Sequence, residues 1–501
     1  MKQPTYPSLY QINTRVWLTE LSQDLGRTVT LDDIPETELD RLAKLGFDWI
    51  WLLSVWTTGE RGRKVSLENP DWRHEFEQTL PNLQDEDIGG SGFAIAGYQV
   101  HPNLGGDEAL KRLRTKLNKR GLKLMLDFVP NHMGPDHPWV EQHPEYFVPG
   151  TENDLAQNPK NYTRVKHSKG DLILAYGRDP YFAGWPDTIQ LDYSNPATVT
   201  AMTNELLRIS SQCNGVRCDM AMLILPEVFE KTWGRRAQSF WPIATKAVRK
   251  PAPDFLFMAE VYWDMEWTLQ QQGFDYAYDK RLYDRLREGN VDAIRGHFRA
   301  APDYQNKLAR FLENHDEPRI SDTLHPDQHK AAALITFFSP GLRFFHQGQF
   351  EGRMERISPH LIRAPHEPLN TDVQAFYMDL LAVIKKPLLR DGNWQLLDCV
   401  PAWEGNGTSD AFVAFAWQRS GDERMVIVVN YRPHSSQCYL RLPFTDLSGA
   451  QWRLQDLMSE ACYDRDGSSL QSGGLYLDML PWQFHAFEMK KLIAERSTRQ
   501  F

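Results

Sequence analysis

Four short apolar runs in this 501-residue chain carry acidic side chains at or just past their ends. Residues 122–129 include Asp127 and lead into Pro130, Asn131 and His132. Residues 215–220 hold Arg217 and Asp219, residues 255–261 hold Glu260, and residues 307–313 lead into Asn314, His315 and Asp316. Charged groups are costly in apolar strands unless they are paired or functional. Any one of these carboxylates could be half of a buried ion pair that fixes a loop. Converging on one place, with an arginine and two histidines beside them, they suit glycoside hydrolysis, which needs no cofactor. One carboxylic acid protonates the leaving oxygen while a second carboxylate attacks or activates water. A third negative group stabilises oxocarbenium-like charge or holds ring hydroxyls. Other chemistries find little support: there is no GxxxxGK[ST] loop, no GxGxxG turn after a first strand, no HExxH and no GxSxG elbow.

These residues act together only if the strands carrying them end on one rim. Between the runs lie stretches of helical period. Residues 106–120 put Leu110, Leu113 and Leu117 on one face and stop at Gly121. Another helix opens with Asn195 as N-cap and Pro196 in its first turn, and Val199, Met202, Leu206 and Ile209 recur along it. Helices are also predicted over 35–45, 226–248, 282–298, 327–338 and 372–384. Runs at 9–17, 46–53, 274–278 and 342–346 bring the strand count to eight, each apolar on both faces and alternating with helices. Eight strands close a (β/α)8 TIM barrel, whose reactive residues stand at the C-terminal strand ends; a doubly wound open sheet is the competing arrangement. The predicted fold is therefore α/β. The catalytic barrel takes 1–130 and 195–390, and a Pro-, Asn- and Tyr-rich excursion over 131–194 follows strand 3. A C-terminal antiparallel β-sandwich over 391–501 is marked by alternation at 411–417, 425–430, 438–442 and 484–489.

Composition narrows the partners. The net charge is −10 with both signs interspersed, so no basic face invites nucleic acid. No run of apolar residues is long enough for a membrane span, and the N-terminal stretch has no secretory signal pattern. Five scattered cysteines without a CxxC pair suit a reducing cytoplasm and argue against a disulfide framework or a structural zinc site. Aromatic residues, 12% of the chain, could stack on sugar rings or fill the core.

The strand ends resemble the four sequence regions of the α-amylase superfamily, glycoside hydrolase family 13. DFVPNH (127–132), GVRCD (215–219), AEV (259–261) and FLENHD (311–316) fall in the family's order and on the expected strands. The resemblance implies a retaining α-glycosidase acting on α-glucosidic bonds of short oligosaccharides or small glucosides. Asp219 would be the nucleophile that forms a covalent glycosyl ester, Glu260 the acid and then the base, and Asp316 a ligand of sugar hydroxyls. Arg217 would orient Asp219, and His132, His315 and Phe93 would contact the sugar. A transglycosylase using the same intermediate is the alternative. A catalytically silent accessory barrel is a third reading, against which the intact Asp219, Glu260 and Asp316 count.

Departures from the family pattern carry expectations too. Met222 and Leu223 stand where many starch-acting members have Lys-His, which points away from long starch chains. Phe93 replaces a stacking tyrosine, and Gly97 an aspartate. Asn131 matches a position that ligates calcium in many members, so a structural calcium is compatible with the sequence, its other ligands unassigned. No cofactor is expected for the chemistry. Residues 135–147 resemble members that make or cut maltosyl units, including transferases using maltose phosphate. Trp139, Tyr146, Phe147, Tyr181, Phe182 and Trp185 are candidates to wall the leaving-group side.

Overall fold

A computed structural model describes residues 4–419 and 423–492. Eight parallel strands close into a barrel: β1 (Ser8–Asn13), β2 (Trp49–Leu53), β3 (Lys123–Phe128), β4 (Gly215–Cys218), β5 (Leu256–Ala259), β6 (Tyr276–Tyr278), β7 (Leu308–Arg310) and β8 (Leu342–His346). Each strand pairs with its sequence neighbour, and β1 closes the ring on β8 with Leu9 opposite Phe344. Every residue of β2, Trp49 to Leu53, is buried. A strand with helices outside it and a packed barrel inside it requires that.

The order of strands and helices follows the sequence pattern, with local corrections. β1 ends at Asn13, not at Trp17: the Asn13 side chain accepts from the Val16 backbone N–H and opens the helix Thr14–Leu25. The apolar turn Val16-Trp17-Leu18 prolonged the apparent strand because a short apolar run does not distinguish the two states. The predicted helix over 226–248 is two, Pro226–Trp233 and Trp241–Arg249, separated at Gly234. That over 282–298 is also two, Lys280–Glu288 and Val291–Phe298. Gly234 and Gly289 take left-handed φ of 66°, the conformation that terminates a helix at least cost.

Two small antiparallel pairs organise the excursion after β3. His132–Met133 pairs with Ile189–Gln190, and Tyr162–Val165 with Leu172–Ala175. The first pair ties the two ends of the excursion together beside the mouth of the barrel. The chain then enters the helix Pro196–Gln212, capped by Asn195 accepting from Ala197 N–H at 3.0 Å.

A six-stranded and a three-stranded antiparallel sheet form the C-terminal region around a separate core that includes Trp452, Leu454 and Phe487. It is fastened to the barrel by the Trp417 indole, which donates to Phe338 O, and by the Tyr431 hydroxyl, which donates to Leu286 O. Residues 493–501 of the expected sandwich lie outside the described residues. Among the described residues no helix is long and apolar enough to cross a membrane.

Candidate active site

Alternation along β4 puts Arg217 and Asp219 on the same inward face. Arg217 is fully buried. Its Nη1 donates to Asp219 Oδ1 at 2.8 Å, its Nη2 lies 2.7 Å from Glu260 Oε2, and Asp127 Oδ1 stands 3.6 Å from Nη1. One guanidinium thus holds the carboxylates at the ends of β3, β4 and β5. Immediately past Asp219 the chain turns through Met220, a non-glycine residue at φ 41°, and the Met220 N–H donates to Glu260 Oε2 at 2.7 Å. The Tyr262 hydroxyl donates to Glu260 Oε1 at 2.9 Å. Ser54, Met220, Trp263 and Asp264, all left-handed, lie just past the ends of β2, β4 and β5. Each costs about 1–3 kcal/mol, and such strain clusters where function fixes the backbone.

Burial raises the carboxyls of this cluster against the opposing pull of Arg217: Asp219 to about 6, Glu260 to about 7 and Asp127 to about 7. Burial thus moves Glu260 toward neutrality, as an acid's role requires. Burial lowers His132 to about 3 and His315 to about 4, so both are neutral at pH 7. Gln11 of β1 offers its amide to His315 Nδ1 at 2.9 Å, which leaves Nε2 to carry the proton. That Nε2 lies 3.1 Å from Asp316 Oδ2. Phe93 packs 5.4 Å from the His315 ring and lies under the Arg217 guanidinium at 5.2 Å.

A cavity of about 360 Å³ opens over this cluster. Phe93, His132, Asp219, Glu260 and Asp316 line it, while Arg217 and His315 lie behind that lining. Of the aromatic residues proposed to wall the site, Trp185 lines the cavity, 5.3 Å from the His132 ring. Trp139 and Tyr146 instead pack on each other at 5.3 Å, Phe147 is core, Tyr181 meets Trp263 edge-on, and Phe182 is exposed away from the cavity lining. Met222 and Leu223, at the place of the Lys-His pair, do not line the cavity. The sharp turn at Met220 folds them into a buried 3-10 turn, Ala221–Ile224, and Met220 lines the cavity in their place.

Sequence reasoning missed Gln11, Tyr262, Asp187 and the pair Glu75–Arg356. Gln11 was accessible by the rule used for the carboxylates, a polar residue inside an apolar strand. Tyr262 was accessible as the residue two beyond Glu260. Asp187, Glu75 and Arg356 lie on segments without a strand period, and nothing local marked them.

The oxygens around Asn131, the position that the resemblance links to calcium, are engaged by a side-chain donor. Calcium takes six to eight oxygen ligands. Here the fully buried Gln190 puts an N–H donor among them: its Nε2 lies 2.9 Å from Asn131 O, 3.0 Å from Asn131 Oδ1 and 3.1 Å from Leu191 O. Among the described residues no cluster of three or more His, Cys, Asp or Glu side chains could hold a metal.

Residues 30–379 match the model of the α-amylase catalytic domain. A maltosyltransferase named for α-1,4-glucan and maltose 1-phosphate, from Salinibacter ruber, is 35% identical over 28% of this chain and 21% of its own length. An intracellular maltogenic amylase of Bacillus subtilis is 23% identical over 66% of this chain and 54% of its own. The chain thus spans from about a fifth to about a half of the length of these curated relatives. Among solved structures, a maltogenic α-amylase from Thermotoga neapolitana superposes with a TM-score of 0.70 at 18% identity, over 98% of this chain and 99% of the other. An α-amylase from Lactobacillus plantarum gives 0.67 at 22% identity, over 97% and 99%; at these identities the likeness is one of fold. With its matched catalytic domain, closed barrel and carboxylates gathered on Arg217, the chain belongs to the α-amylase family of glycoside hydrolases.

Proposed function

We propose that the protein is a retaining α-glycosidase acting on α-glucosidic bonds of short oligosaccharides or small glucosides. The sharing of one guanidinium by Asp219 and Glu260 carries this reading. Two carboxylates bound side by side in this way suit the ~5–5.5 Å separation of retaining enzymes better than the wider gap of inverting ones. In the first step an Asp219 oxygen bonds to the anomeric carbon as the glycosidic bond breaks, and the leaving oxygen takes the Glu260 proton. In the second, Glu260 takes a proton from water, whose oxygen displaces Asp219. Asp316 and the neutral His315 and His132 hold the sugar.

Transfer to a sugar acceptor through the same ester is the second reading, favoured by the maltosyltransferase likeness. A phosphate-bearing donor fits the cavity poorly. Glu75, Asp187, Asp219, Glu260 and Asp316 all line it, and its one lining arginine, Arg356, donates to Glu75. Release of p-nitrophenol from p-nitrophenyl α-glucoside and α-maltoside tests the first reading, and a protein that releases none is not a hydrolase of small α-glucosides. Maltose phosphate with a glucan acceptor tests the second: phosphate release outpacing p-nitrophenol release would reverse the preference.

Chain length is the next expected result. The Glu75–Arg356 pair joins the segment after β2 to the segment after β8, across the barrel from Glu260, and walls the cavity there. A cavity of about 360 Å³ lies near the low end of the ~300–1,000 Å³ range of ligand sites. Among the described residues no unpaired cation lines it to grip sugars further along a chain, and such a bond is worth about tenfold to 150-fold. kcat/KM on maltose to maltoheptaose should therefore exceed that on soluble starch by at least about tenfold. Equal efficiency on starch would refute the preference for short substrates.

The reading also includes a fold that does not rely on calcium, with the Gln190 amide bridging the oxygens at Asn131. EDTA or added Ca²⁺ should move Tm by less than about 1 °C, whereas a site at a hundredfold its Kd would add about 2.7 kcal/mol and several degrees. A shift of that larger size would refute it.

A further inference from the structure

Asp187 is a carboxyl in the catalytic cavity that the proposed mechanism leaves unused. Its residue is 3% exposed, yet it lines the cavity beside Trp185 and Thr188. No residue pairs with it: among the described residues only its own backbone N–H favours the charged form, and no arginine, lysine or histidine offsets its charge. Its position is rigid. The Thr188 N–H and hydroxyl both bond to Trp185 O, at 3.1 and 2.8 Å, and Ile189 and Gln190 immediately pair with His132 and Met133. A buried carboxyl without a partner costs stability that an apolar residue would not, and protein chains retain such groups chiefly at binding and catalytic sites.

We infer that Asp187 is a further sugar-binding residue, contributed by the excursion, that takes a hydroxyl of the bound glycoside from the side facing His132 and Trp185. The inference rests on the reading of this cavity as a glycoside site. The chemistry fits the vacancy in the carboxyl's bonding: sugar hydroxyls donate to a carboxylate and accept from a carboxylic acid, so either protonation state finds a partner. The excursion would then do more than cover the barrel. It would set which hydroxyl pattern the site accepts.

The test compares wild type with Asp187→Asn and Asp187→Ala on p-nitrophenyl α-glucoside and its monodeoxy analogues. KM should rise about tenfold to a hundredfold, most in the alanine variant, with kcat changed less than about threefold. Tm should stay or rise, since an unpaired buried carboxyl is removed, whereas a purely structural aspartate would lower it. On one monodeoxy analogue wild type and variants should share the same KM, because the hydroxyl that Asp187 holds is absent. Unchanged KM in both variants, a fall in Tm without a KM effect, or an equal penalty on every deoxy analogue overturns the inference. A wild type that turns over no α-glucoside overturns the function proposed for the cavity, and this inference with it. An active wild type with indifferent Asp187 variants overturns this inference alone.

Discussion

Replacing Asp219 by asparagine is expected to lower kcat by at least about four orders of magnitude on every α-glucoside, a loss typical of removing a nucleophile. The amide cannot form the glycosyl ester, and Asp316, another carboxylate lining the cavity, is proposed to hold sugar hydroxyls. Glu260 is held by Met220 N–H, Tyr262 and Arg217, and Asp127 does not line the cavity. The fold should survive. Arg217 keeps the Glu260 and Asp127 carboxyls as neighbours. Burial also raises Asp219 to about 6, so ionising it in the folded protein costs stability between its unfolded value near 4 and that pH. At pH 7 the full cost is present in the wild type and absent in the variant. Tm of Asp219→Asn should therefore match or exceed that of the wild type, measured by calorimetry beside kcat. A variant retaining more than about a tenth of wild-type kcat would remove Asp219 from the nucleophile's role.

Glu260→Gln should show its loss selectively. On substrates with poor leaving groups the missing proton should cost about 10²–10⁴-fold. An α-glycosyl fluoride needs little protonation, so the ester on Asp219 should still form from it. The variant also lacks the base for water, and the ester should accumulate as a covalent adduct that mass spectrometry maps to Asp219. The pH profile supplies a second readout. In the wild type kcat/KM should fall as pH rises through about 7, where Glu260 loses its proton, and as pH falls through about 6, where Asp219 gains one. Glutamine does not titrate, so with the fluoride the alkaline limb should vanish and the acid limb remain. An adduct on another carboxylate, or equal slowing on all leaving groups, would reassign Glu260.

Much of this molecule is legible along the chain because its determinants are local. Two-residue alternation within β4 decides that Arg217 and Asp219 share a face. Buried parallel strands read as apolar runs, and the caps at Asn195 and Gly121 mark helix ends within a few residues. Placing reactive groups at strand ends follows from barrel topology once the strands are counted, so Asp219, Glu260 and Asp316 could be named as candidates without coordinates. Where a strand gave way to a helix was less legible: the apolar turn at Val16–Leu18 looked the same in either state until the Asn13 cap decided it. Other features depend on residues distant in sequence. That Arg217 is shared by three strand ends, that Gln11 fixes the proton on His315, and that Glu75 meets Arg356 more than 250 residues away are consequences of barrel closure. The left-handed turn at Met220 buries Met222 and Leu223, which their apolar character allowed but did not require. Asp187 shows the difference most clearly. An aspartate in a loop is ordinarily exposed, and only the packing of the excursion over the barrel mouth buries it and leaves it facing the cavity.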